Sequence, residues 1–142
     1  MCLAFRQSNP LPRLVAEVDI TIYKVVERVN LSGDLYSIFK GMPIKLGVVY
    51  TSGLDTPSTK GSFAFSNKDH KLLGGEACMF VGVGLHAFVE QPIEEDLDLR
   101  ADIGSTIVVL KGFIPKGSEY YVNEETGMIV AGSMCYSEIV SI

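Results

Sequence analysis

The stretch Thr106-Ile107-Val108-Val109-Leu110-Lys111-Gly112-Phe113-Ile114, followed by Pro115-Lys116-Gly117-Ser118 and Glu119-Tyr120-Tyr121-Val122-Asn123, decides the fold class. Its first nine residues are mostly β-branched or aromatic, a composition that suits a pleated, half-buried surface and loses side-chain freedom in a helix. Pro, Gly and Ser at 115, 117 and 118 supply a turn. Glu119 to Asn123 then predicts a second strand. Glu124-Glu125-Thr126-Gly127 reads as a hairpin loop with glycine in its last position. Met128 to Ala131 is the returning strand, and Ser137 to Ile142 a last one.

The same grammar continues toward the N-terminus. Ala77 to Val89 is apolar almost throughout but contains Gly82 and Gly84, which neither a helix nor a strand accommodates cheaply. It predicts a buried strand, bent or bulged at the glycines and continuing through Leu85-His86-Ala87-Phe88. Pro92 to Asp102 is the one expected helix: proline suits a first helical position, the acids after it favour the helix N-terminus, and Gly104 ends it. Glu17 to Val29 reads as a strand with Ile20, Ile22, Lys24 and Val26 on one face, closed by turn chemistry at Asn30-Leu31-Ser32-Gly33. Leu35 to Phe39 and Ile44 to Thr51 are further strands across Gly41-Met42-Pro43. Thr51 to Ser62 and Asn67 to Lys71 are expected surface loops, and Asn9 to Pro12 an extended lead-in. The fold class that follows is α+β but mainly β: a single compact domain over residues 1–142, of about seven or eight strands with one short helix.

Composition narrows the function classes. The 142 residues carry 17 acids against 12 bases, a net charge of −5, and the densest charge cluster (Glu94, Glu95, Asp96, Asp98) is acidic. Duplex binding draws on a basic stripe, so no nucleic-acid partner is expected. No apolar run approaches the ~20 residues of a membrane helix, and Met1 to Arg13 lacks a signal-peptide apolar segment. Cys2, Cys78 and Cys135 form no C-x-x-C pair and are odd in number, which points to a reducing, cytoplasmic setting.

No residue pattern specifies a reaction. His70, His86 and the isolated cysteines have no zinc-ligand spacing, and no metal or cofactor is expected. Gly74-Gly75 and Gly82-Val83-Gly84 lack the spacing of phosphate loops, and no G-x-S-x-G elbow marks a nucleophile. The acids from Glu94 to Asp98 read as a solvated helix start. Two segments stand out. His86, within an apolar strand, suits a ligand donor or a general base, or equally a core histidine satisfied by a backbone carbonyl. In the second, strand alternation puts Tyr120 and Tyr121 on opposite faces, one in the core and the other exposed or lining a site, beside Lys116 at a turn. With Arg28 these give a candidate ligand set of Arg28, His86, Lys116, Tyr120 and Tyr121: cations for phosphates, tyrosines for stacking on bases. No catalytic residue is assigned.

Met1-Cys2-Leu3, Asp19 to Val25, Gly84-Leu85-His86-Ala87-Phe88 and Ile114 to Tyr121 resemble a family of small uncharacterised proteins of gut-type bacterial and bacteriophage genomes. The resemblance implies one complete domain and a host-cytoplasm setting. A weaker resemblance is to ADP-ribosyltransferase-like folds, in which Glu138 stands where the catalytic glutamate belongs and Phe63-Ala64-Phe65-Ser66 as the serine strand. Lys24 there replaces the usual arginine or histidine, and the E/Q-x-E spacing is absent. Three expectations follow. The first is a non-catalytic small-molecule-binding protein, a homo-oligomeric phage sponge for a nucleotide immune signal. The second is an ADP-ribosyltransferase-like enzyme acting on NAD, and the third a protein-binding inhibitor of a host factor through an exposed strand edge.

Overall fold

A computed structural model describes residues 3–6, 11–38, 41–62, 77–81, 83–92 and 103–141. Its spine is β10 (Ser105–Ile114), the β-branched run that opened the sequence. Val108, Val109 and Leu110 are all fully buried, so the middle of this strand is covered on both faces, as its apolar run from Ile107 to Leu110 requires. Along one edge it pairs with β3 (Ile20–Val29), in unbroken antiparallel register from Ile20 opposite Ile114 to Val29 opposite Ser105. Ile22 and Val26 of β3 are fully buried, with Ile20 packed beside them.

The other edge of β10 pairs with β13 (Ser133–Ser141), with register shifts between Val109 and Leu110 and between Lys111 and Gly112. Here the two backbones nearly touch. A Cβ on Gly112 would lie 2.1 Å from the Cys135 carbonyl oxygen and 2.9 Å from Tyr136 Cα, so only glycine fits.

The turn after β10 leads into the hairpin β11 (Glu119–Asn123) and β12 (Met128–Ala131), with the bounds expected from sequence. Asn123 shapes its loop by accepting the Glu125 amide at its side chain and the Gly127 amide at its carbonyl. β9 (Leu85–Phe88) pairs with β12 and, through Phe88 opposite Tyr23, with β3. The hydrogen-bonded path from β12 through β9, β3 and β10 to β13 therefore returns to its starting stretch of chain, because Gly132 alone separates β12 from β13. The sheet is rolled on itself, and Ile22, Val26, Val108, Leu110, Ile129 and Met134 are among the side chains of its main core.

Four short strands complete this ten-stranded antiparallel sheet: β2 (Leu14–Val15) beside β11, β4 (Leu35–Ser37) beside β3, β5 (Pro43–Ile44) beside β4, and β6 (Val49–Thr51) beside β13. A separate three-stranded sheet, in the order β1 (Leu3–Arg6), β8 (Ala77–Val81), β7 (Ser58–Ser62), contributes Val81 to a second small core with Tyr121 and Val130.

The mainly-β reading holds, with thirteen strands among the described residues rather than seven or eight. Beyond Pro92 the expected helix, with the acidic run, falls on 93–102, outside the described residues, as do the loop at 67–71, Gly74-Gly75 and the segment 63–66. Ile44 to Thr51 is two strands, because the chain turns over Lys45 to Val48 with Gly47 at φ +79. Ala77 to Val89 is likewise two strands, and the bend expected at its glycines is larger than a bulge: it moves the chain from one sheet to the other. Gly84 permits the move at φ +150, packed so closely that a Cβ would lie 2.4 Å from Val130 Cγ2. Part of the expected Thr51 to Ser62 loop is β7, since a ladder partner in β8 overrides the weak strand preference of serine and glycine.

Candidate functional site

Arg28 lies next to the end of β3, opposite Leu35 on one side and Thr106 on the other. Cross-strand partners share a face, so Arg28 is on the side that carries Val26, Leu35 and Val108 into the main core. It is partly buried at the end of the rolled sheet where β3 turns toward β4 and β10 begins. Thr106 donates its hydroxyl to Asn30 Oδ1 at 2.7 Å beside it. Among the described residues no carboxylate or other hydrogen-bond acceptor is paired with the Arg28 guanidinium. A partly buried cation over an apolar floor, with five donors to satisfy, is an arrangement that an anion completes.

His86 and Tyr121 do come together, on the other face of the sheet. Val130 pairs with both, so Tyr121, Val130 and His86 form one row across β11, β12 and β9. Their surroundings are structural. His86 Nε2 lies 3.3 Å from the Val81 carbonyl oxygen across the turn between the two sheets. Burial, helped by the positive charge of Lys24, lowers its pKa from 6.5 to about 4 against the opposing pull of that carbonyl, so the imidazole is neutral at ordinary pH. Of the two readings open at sequence level, the geometry supplies the contact that a core histidine requires. Tyr121 is only 3% exposed, and the Arg13 guanidinium carbon sits 5.8 Å from its ring centroid. Arg13 also donates to the Leu54 carbonyl at 3.1 Å and pairs with Glu119 at 2.7 Å. It is a surface clasp over the second core.

Tyr120 faces the opposite way and packs partly buried against the main core, so neither tyrosine is the exposed one that alternation left open. Lys116 is exposed in the turn after β10, where its amide donates to Asp19 Oδ1 at 2.9 Å. It lies beyond Ile114, at the far end of β10 from Thr106 and Arg28, and eight residues of strand put roughly 27 Å between those ends. The five candidate residues thus do not assemble into one site: Arg28 stands at one end, Lys116 at the other, His86 and Tyr121 on the outer face and Tyr120 on the inner.

Lys24 shares the core-facing side of β3, and its ammonium donates to the His86 carbonyl oxygen at 2.8 Å, in the gap along β3 between β9 and β4. Glu138 pairs with Lys111 in the register and is exposed. Lys24 pairs with Leu110, the neighbour of Lys111, so Lys24 and Glu138 project from opposite faces of the sheet. No group of three or more His, Cys, Asp or Glu able to hold a metal ion occurs among the described residues.

Sequence reasoning missed Arg13 and the open position of Arg28. The partners of Arg13 lie at 54, 119 and 121, and no local signal in Leu11-Pro12-Arg13-Leu14 announces them. For Arg28 a signal existed: counting in twos from Ile20 places it on the same strand face as Ile22 and Val26. Comparison of this chain with protein families, with curated proteins and with solved structures found no match.

Proposed function

We propose that this chain is a non-catalytic binding protein for a small anionic ligand, and that Arg28 is its anchor. The observation that carries the reading is the guanidinium at the end of the rolled sheet, set over the apolar side chains of Val26, Leu35 and Val108 and beside the Thr106 hydroxyl, with no acid paired to it among the described residues. An apolar floor with a few converging polar groups is the usual makeup of a small-molecule site, and arginine is the side chain best matched to phosphate oxygens. A nucleotide meets both demands. The resemblance to small bacteriophage proteins makes the nucleotide signals of bacterial immunity the first ligands to test, with the protein acting as a sponge.

The test incubates purified protein with NAD, ADP-ribose species and cyclic di- and trinucleotides, and reads the filtrate and the heat-released fraction by mass spectrometry. A nucleotide withheld from the filtrate and returned intact on heating is the expected result. Arg28→Ala should abolish that retention, and Arg28→Lys should restore only part of it, since lysine keeps the charge and loses the planar two-pronged contact. Retention unchanged in Arg28→Ala, or every nucleotide left free, would remove the reading; a chemically altered nucleotide would replace it with an enzymatic one.

A further inference from the structure

We propose that the outer edge of β2 pairs with the same edge of a second copy, making a two-fold symmetric dimer in which the ten-stranded sheets run on from one subunit into the other. Among the described residues β2 ends the strand path, with β11 as its only neighbour. The direction of its backbone groups is fixed by three contacts. The Ala16 amide donates to the Ser118 carbonyl, and the Ala16 carbonyl accepts the Gly117 amide. The Glu119 carbonyl, opposite Val15, turns the other way to accept the Gly132 amide. Leu14 and Ala16 therefore direct their peptide groups at β11, and by alternation Arg13, Val15 and Glu17 direct theirs outward.

The residues at this edge are self-complementary. In an antiparallel pair centred on Val15, the sequence Arg13-Leu14-Val15-Ala16-Glu17 sets Val15 against the partner's Val15 and Arg13 against the partner's Glu17, twice by symmetry. All three outward-directed residues are exposed, with Val15 at 56% and Val18 beyond it at 68%. Opposite charges fall opposite each other, and no like charges do. The edge is short, which limits any pairing to a few residues, and it presents a valine between a cation and an anion, so it accepts a strand of matching charge order. The chain bends at Glu17 and Val18, so the added ladder stops there. A short ladder of this kind predicts a dimer that dissociates on dilution and weakens with salt.

Sedimentation velocity over a concentration series, with charge exchange, tests this. The wild-type chain should move from monomer toward dimer as concentration rises. Glu17→Arg alone and Arg13→Glu alone should each remain monomeric, because each sets like charges opposite each other. An equal mixture of the two variants should dimerise, since every opposed pair is again of opposite sign. Arg13→Glu also loses its Glu119 partner, so its thermal melt must show a folded chain; if it does not, Val15→Cys takes its place. Two facing positions in an antiparallel hydrogen-bonded pair are about 5.5 Å apart at Cα, within disulfide reach, so oxidation should link that variant through residue 15. A chain that stays monomeric throughout, a dimer untouched by Glu17→Arg, or a mixture that fails to associate would each overturn the proposal.

Discussion

Replacing Gly112 with alanine should be among the most damaging single-methyl changes in this chain, because the three atoms nearest the added one all belong to the β13 backbone. Its Cβ would sit 2.1 Å from the Cys135 carbonyl oxygen, 2.9 Å from Tyr136 Cα and 3.0 Å from the Cys135 carbonyl carbon. No side chain can rotate away to relieve this, so β10 and β13 must part by more than an ångström. That movement disturbs the ladder holding Leu110 and Tyr136 in the main core. Overpacking a well-filled interior costs about 1–3 kcal/mol, and the backbone origin of the clash puts this case near 3. For a domain of this size such a loss lowers Tm by roughly 10 °C. Gly53→Ala is the control: among the described residues its Cβ would meet only Val83 Cγ1, at an ordinary 3.8 Å, and it should melt within about 2 °C of wild type. The assay is thermal unfolding followed by circular dichroism on both variants side by side. If Gly112→Ala melts with the control, the close approach of the two strands is wrong as described.

Further outcomes follow from the buried polar groups. His86 is neutral in the folded chain, with a pKa near 4, whereas the unfolded chain takes up a proton below 6.5. The unfolded state therefore binds more protons between those values, and stability should fall as pH drops through the window, by about 1–3 kcal/mol after allowance for partial exposure. Urea midpoints measured across that window test this, and the slope should flatten in His86→Gln; an identical slope in the variant sinks the assignment. Lys24→Met keeps the aliphatic stem but removes the charge that helps lower His86, so the imidazole titration followed by NMR should move up in pH; no movement would place that charge elsewhere. Among the described residues the hydroxyl of Tyr136, 2% exposed, meets only a thioether, Met134 Sδ at 3.7 Å, and burial beside Tyr50 pushes its phenol well above the ordinary value. Tyr136→Phe should change stability by less than about 1 kcal/mol in chemical denaturation, and a larger loss would mean a stronger partner for the hydroxyl.

The legible parts of the sequence are those whose information is local. β11, its loop and β12 could be read with correct bounds because turn residues and alternation lie side by side in Glu119 to Ala131. The rest depends on distant partners. β2 is two residues long and exists because β11 lies beside it, and β7 is a strand of serine, threonine, lysine and glycine that only β8 explains. Alternation correctly put Lys24 on the face of Ile22 and Val26, but the carbonyl that receives its ammonium belongs to His86, on a strand far along the chain. The candidate ligand set failed to converge for the same reason. Residue type identifies Arg28 and Lys116 as cations, and only the pairing of β3 with β10 reveals that they stand at opposite ends.

The return of the rolled sheet to the stretch running from β12 through Gly132 into β13 bears on how the chain folds. β3 is made well before its full-length partner β10, and the stretch that joins the two sides of the roll comes later still. During synthesis on a ribosome, β3 emerges with no long neighbour and an apolar face exposed. Pairings this far apart in sequence must be reached before they are rewarded, which predicts slow folding and an apolar strand face open to aggregation until β13 has appeared.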